Sequence, residues 1–261
     1  MTAFLTSLSS CPRDFKLAFG FLTRVPGPFS LAAASDELGP ALRLAPLVGL
    51  VVGVCGALVT WIAVGGLGLP PLPAALLTVG ATIWITGALH EDGLADVADG
   101  FGGAFERRRK LAIMRDSRIG AYGVLALILS IGLRGAALAA LTGPEVASAV
   151  LIAAHSLSRA PLPLVMLVLA PARDDGLAAA AGRPGPADAV TGLGLGLLLA
   201  ALAAGGVMAL SLGLAALVAA AVTGLIALRQ IGGYTGDVLG AVQQTAEIAV
   251  LLTAVALLAA Q

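Results

Sequence analysis

The chain has 261 residues, 59% of them hydrophobic and only 11% charged, with 15 basic residues against 15 acidic ones. A soluble globular protein carries about 25% charged residues, and disorder requires low apolar content with excess charge, so both classes are excluded. Balanced charge also argues against nucleic acid as a partner, which leaves a protein that lies mostly inside a bilayer.

In chain order, Leu8-Ser9-Ser10-Cys11 has the outline of a lipoprotein cleavage site, but no Lys or Arg precedes it, so no cleaved signal is expected. The two cysteines, Cys11 and Cys55, do not suggest a disulfide framework. Between Arg13 and Arg24, Phe15, Phe19 and Leu22 recur at helical spacing, which predicts an interfacial helix. A spanning helix needs about 20 apolar residues. Windows that satisfy this run over 44–65, 71–90, 119–141, 147–170, 189–206, 207–228 and 240–260. Gly205-Gly206 separates the fifth window from the sixth, either as a tight hairpin or within one long helix. Gly192, Gly194, Gly196 and Gly213 read as packing surfaces for neighbouring helices. The prediction is an all-α, polytopic bundle of about seven spans, forming a single integral-membrane domain over 1–261.

Basic residues orient it. Arg13, Lys16, Arg24 and Arg43 precede the first span, Arg107–Lys110, Arg115 and Arg118 lie between the second and third, and Arg173, Arg183 and Arg229 follow later. With seven spans these segments share one side, expected to be the cytoplasmic face of the bacterial inner membrane. The opposite loops carry almost no charge, so the chemistry is expected on the cytoplasmic side.

The segment from His90 to Gly100 carries most of that chemistry. Asp92, Asp96 and Asp99 follow i, i+4, i+7 spacing and share one helix face. Like charges so placed repel, and no lysines are interleaved to offset them. A hard divalent cation supplies the missing charge, and Mg²⁺ takes carboxylates together with phosphate oxygens. Downstream, Arg115 and Arg118 frame Asp116 and Ser117, a pattern suited to a diphosphate, since arginine's planar fork matches phosphate. Arg107–Lys110 is explained equally by membrane anchoring. Gly232-Gly233-Tyr234-Thr235-Gly236-Asp237 opens the seventh span. There Asp237 either joins the metal ligands Asp92, Asp96 and Asp99 or caps the helix. Arg134, Arg159 and Glu247 fall within spans, where an unpaired charge costs roughly 2.5–3.5 kcal/mol. Glu247 is therefore expected to pair with one of the arginines beneath the site, the alternative being arginines that snorkel to the interface.

Taken together, these segments resemble the cobalamin synthase (adenosylcobinamide-GDP ribazoletransferase) family over nearly the whole chain. The resemblance rests on Phe21-Leu22-Thr23-Arg24-Val25-Pro26, Pro46-Leu47-Val48-Gly49, and His90-Glu91-Asp92-Gly93-Leu94-Ala95-Asp96 with Asp99-Gly100. It continues through Ile113-Met114-Arg115-Asp116-Ser117-Arg118 with Gly120, Ser158-Arg159, and the 232–237 motif followed by Glu247. Departures at Ala45 and Val97 touch no charged position. The resemblance implies that the protein joins adenosylcobinamide-GDP to α-ribazole or its 5′-phosphate, giving adenosylcobalamin or its 5′-phosphate and releasing GMP, with Mg²⁺ required. It further implies that Arg24, Ser117, Arg159, Gly233, Thr235 and Gly236 contact substrate and that Arg115 and Arg118 act on the diphosphate. His90, Asp99 and Asp116 remain alternative bases. The partners so implied are the two substrates and the bilayer, with homo-oligomerisation open.

Other classes share parts of the pattern. Asp96-x-x-Asp99-Gly100 opens a CDP-alcohol phosphotransferase motif but lacks its following Ala-Arg pair and later aspartates. An aspartate-rich prenyltransferase would need a second cluster where Asp237 stands alone. A transporter would place its carboxylates at mid-membrane, whereas here they gather at one mouth.

Overall fold

The computed structural model describes residues 2–26 and 35–260, and every regular element among them is helical. Helix α1 (Thr2–Leu22) buries Leu17, Ala18 and Leu22, and packs Phe15 and Phe19, 5.6 Å apart by ring centroid, against the core. It thus lies at one end of the bundle with a face held by protein. Short α2 (Leu38–Ala41) leads into α3 (Ala45–Trp61), which is followed by a wider turn over Ile62–Gly66. Helix α4 (Pro71–Thr86) returns, and α5 (Leu89–Gly103) breaks from it at 91°. Then come α6 (Arg107–Ile113), α7 (Ala121–Ala140), α8 (Pro144–Arg159) and α9 (Leu162–Val168). The chain ends with α10 (Leu177–Ala180), α11 (Pro186–Ala204), α12 (Gly206–Ile231) and α13 (Gly236–Ala259).

Among the described residues six helices are long and apolar enough to cross a membrane, and counting the bent α4–α5 pair as one span gives seven. The span pattern of the sequence is therefore reproduced. Gly205, at φ +87, separates α11 from α12, which resolves that junction as a hairpin. Helix α8, extended by α9, is the most enclosed span. Its neighbour α3 reaches it through small residues: a methyl on Gly49 would lie 2.1 Å from the His155 carbonyl oxygen. Gly192 and Gly196 face Ala160 in the same way, whereas Gly194 meets nothing.

The α4–α5 bend positions the site. Gly87 (φ 64) and Ala88 (φ 57) are both left-handed, a conformation that costs a residue with a Cβ roughly 1–2 kcal/mol. The bend is braced from outside. The Arg24 amide donates to the Ile85 carbonyl at 2.8 Å, and the Arg24 stem lies where a Gly87 side chain would be. Arg24 is thereby placed as a clamp on the turn, exposed at the bundle's end.

Candidate active site

Backbone contact brings α5 and α13 together. A methyl on Gly93 would sit 2.7 Å from the Asp237 carbonyl oxygen, and one on Gly240 would sit 3.2 Å from that of His90. This crossing sets Asp92 and Asp96 of α5 beside Asp237 of α13. A cavity of about 320 Å³ opens there, edged by His90, Asp92, Arg115, Arg173, Asp175 and Asp237, with Thr235 and Gly236 also lining it.

Asp237 does not cap α13. Thr235 does, its hydroxyl accepting from the Val238 amide at 3.3 Å. The Asp237 carboxylate instead accepts from Arg173 and from the Thr235 hydroxyl, each at 3.0 Å. Arg115 pairs with Asp175 at the mouth. Asp96 is half-buried beside the cavity and feels the charges of Asp237, Asp92 and Asp99, with Arg173 opposing them.

Asp99 turns elsewhere. Its two oxygens accept from the Gly120 and Gly123 amides at 2.7 and 2.8 Å, so it caps the start of α7 and ties that helix to α5. Among the described residues, no group of three or more His, Cys, Asp or Glu side chains is arranged as it stands to hold a metal ion. The donor set still suits Mg²⁺: it is all oxygen, it carries uncompensated negative charge, and Mg²⁺ typically uses one or two carboxylates together with substrate phosphates.

His90 is 3% exposed and lines the cavity, and its Nε2 finds no hydrogen-bond partner among the described residues. Asp116 and Arg118 lie outside the cavity lining and bind one another at 2.6 Å, exposed to solvent. Hydrogen bonds from Arg118 hold the Asp116 carboxyl down to about 2, which makes it a weak base. Ser117 is exposed beside them. Gly233 is buried because the Tyr234 amide and carbonyl bond to Ala170 and Ala172, at 2.9 and 2.8 Å. The Tyr234 hydroxyl reaches the Ala178 carbonyl at 3.4 Å. Burial pushes that phenol up, so it remains a neutral donor. Arg107 also serves the frame, donating to the last carbonyl of α12, Ile231, at 2.6 Å and to Ala172 at 2.8 Å.

Beneath the cavity lies a second charged cluster, fully enclosed. Arg134, 2% exposed, sits 2.9 Å from Glu91 and 3.3 Å from Glu247. Glu247 also contacts His155 at 3.2 Å and accepts from Gln243 at 2.6 Å. Gln244 bridges Glu91 and Ser130, at 3.1 and 2.8 Å. Arg159, 1% exposed, donates to the His155 carbonyl at 3.0 Å. Pairing of Glu247 with Arg134 is thus realised, and neither arginine snorkels. Arg159 belongs to this cluster and does not line the cavity. Glu91, His155, Arg173, Gln243 and Gln244 had no assigned role in the sequence. Glu91 lay within the acidic motif, and the rest are single polar residues without a spacing signal.

Fold and site define a polytopic membrane protein whose polar chemistry gathers in one cavity at one end of the bundle. The profile of the family described as cobalamin-5-phosphate synthase matches residues 14–255. A protein of Bradyrhizobium diazoefficiens named adenosylcobinamide-GDP ribazoletransferase is 50% identical over 244 residues, 93% of each chain. Its namesake in Mesorhizobium japonicum is 48% identical over 255 residues, 96% of this chain and 97% of the relative. One in Azorhizobium caulinodans is 48% identical over 251 residues, 92% and 94% of the two chains. No solved structure matches. The chain belongs to the cobalamin-5-phosphate synthase family, which decides among the classes the sequence motifs left open.

Proposed function

We propose that the protein transfers the corrinoid phosphate of adenosylcobinamide-GDP to a ribose hydroxyl of α-ribazole or its 5′-phosphate, releasing GMP. The observation that carries this reading is the cavity itself. In a chain half identical to proteins of that name, carboxylates, two arginines and an unpartnered buried imidazole meet at one opening.

In this reading the ribose oxygen attacks the phosphorus that bears the corrinoid's alcohol oxygen. A new P–O bond forms, the P–O bond to the GMP phosphate breaks, and its electron pair leaves with GMP. His90 is the group we assign to receive the hydroxyl proton, because it lines the cavity and its Nε2 has no hydrogen-bond partner among the described residues. Arg173 and Arg115 exchange their present partners, Asp237 and Asp175, for diphosphate oxygens. Asp92, Asp96 and Asp237 would hold Mg²⁺, which would supply positive charge to offset that of the diphosphate. Asp99 acts through position, fixing the start of α7 against α5. The cavity opens on the cytoplasmic side of the inner membrane, following the basic segments.

Purified protein in detergent, given Mg²⁺, adenosylcobinamide-GDP and α-ribazole, should release GMP together with a cobalamin. No GMP above a protein-free control would end this reading. A cysteine at Ala104 should react with an impermeant thiol reagent only after the membrane is opened, and one at Gly143 should react in spheroplasts. The reverse pattern would overturn the orientation.

A further inference from the structure

The cavity is lined by two unlike sets of residues. Apolar side chains come chiefly from α1, the 35–44 segment and α9 (Phe21, Leu22, Leu42 and Leu162), with Leu89 of α5 and Leu239 of α13 also lining it. Charged ones come from α5, the α6–α7 connection, the connection between α9 and α11, and the start of α13. Its volume, about 320 Å³, lies at the small end of the ~300–1,000 Å³ typical of ligand pockets. That volume admits a nucleoside but not a corrin ring with its side chains.

We infer that the cavity is the binding site of the acceptor alone, with the aromatic base of ribazole against the Phe21–Leu42–Leu162 wall and its ribose at His90. The corrinoid nucleotide then brings only its diphosphate to Arg115 and Arg173, and its bulky ring stays outside the opening. This rests on the transferase reading above. Three requirements coincide here. An aromatic base needs apolar surface to leave water. Its ribose needs a proton acceptor within reach, and His90 supplies an unpartnered one. The diphosphate needs cations at the mouth, which Arg115 and Arg173 provide. Base selectivity is therefore set by the wall that α1 and α9 build.

Steady-state GMP release, with each substrate varied in turn, tests this assignment. Phe21→Ala should raise KM for α-ribazole about tenfold, the scale of a lost apolar contact in a specificity pocket, and leave KM for adenosylcobinamide-GDP within about twofold. Ala178→Leu, which fills the cavity from the connection between α9 and α11, should do the same, and it carries the test if Phe21→Ala does not fold. In the wild-type protein, α-ribazole alone should slow backbone hydrogen exchange over residues 169–180. Equal changes in both KM values, a change confined to the corrinoid nucleotide, or no protection over 169–180 would overturn the assignment. Absence of GMP release from the wild type would instead remove the transferase reading on which it stands.

Discussion

The two charged clusters share helices α5 and α13 but are built on opposite principles. In the lower one, Glu91 and Glu247 face Arg134 and Arg159, so the chain supplies its own counter-charges, and every member is nearly sealed from solvent. Around the cavity, Asp92, Asp96, Asp175 and Asp237 outnumber Arg115 and Arg173, and the two arginines pair with Asp175 and Asp237. Glu91 and Asp92 are adjacent in sequence yet fall on either side of this divide. A carboxylate sealed against an arginine of its own chain is a structural strut, whereas Asp92 and Asp96, which have no arginine partner among the described residues, are the ones we propose receive a cation.

Breaking the upper cluster should show the largest effect. Asp92→Asn, Asp96→Asn and Asp237→Asn should each lower turnover by about 10²–10³-fold while leaving the metal-free melting temperature unchanged or raised, since a repulsion is removed. Near-normal turnover in two of the three would show that these carboxylates are not the metal site. His90→Gln should lose turnover on a similar scale, about 10²–10⁴-fold.

The lower cluster should respond in stability. Arg134→Gln or Glu247→Gln should each cost about 3–5 kcal/mol by leaving a buried charge unpaired, with little added in the double variant. Denaturation of the three variants in detergent measures this; if the single losses simply add, the pair is not coupled. The helix crossing should sit between the two extremes. Gly93→Ala forces α5 from α13, and overpacking of this kind costs about 1–3 kcal/mol, read as a lower melting temperature together with weakened Mg²⁺ dependence.

The smallest effect belongs to Asp116. Its carboxyl is held near 2 by Arg118, below the usual carboxylate value of about 3.9. A depressed pKa contributes stability that is fully present above the unfolded value and is lost as pH falls through the folded one. Wild type should therefore melt slightly above Asp116→Asn near neutrality, and the two should converge as pH falls from about 4 to 2, where the wild-type advantage fades. Solvent exposure keeps that advantage small. Turnover near that of wild type would place the base at His90, and a loss matching His90→Gln would return the role to Asp116.

Much of this was legible beforehand because the bilayer imposes it. Runs near 20 apolar residues mark the spans, and the i, i+4 spacing of Asp92 and Asp96 marks one face of α5. Asp99 obeys the same spacing, but its partner is the start of α7, twenty-one residues on, and nothing local announces that contact. The bend at Gly87-Ala88 was hidden too, because alanine gives no signal for a left-handed turn and the brace at Arg24 is a tertiary contact. Arg173 lies in a connection whose fold depends on pairing Ala170 and Ala172 with Tyr234, so its arrival at Asp237 could not be read from spacing.

The glycine-mediated crossing of α5 and α13 has a consequence for how the site can change. With no side chain between the two helices at Gly93 and Gly240, their separation is set by main-chain atoms touching, and it has no rotamers to flex. The spacing of Asp92 and Asp96 from Asp237 thus behaves like a fixed gauge, insensitive to replacements elsewhere on either helix. Attempts to retune the ion or phosphate geometry by repacking the bundle should fail, and variation in substrate choice has to come from the parts that close over the gauge: α1, α9 and the connection bearing Arg173.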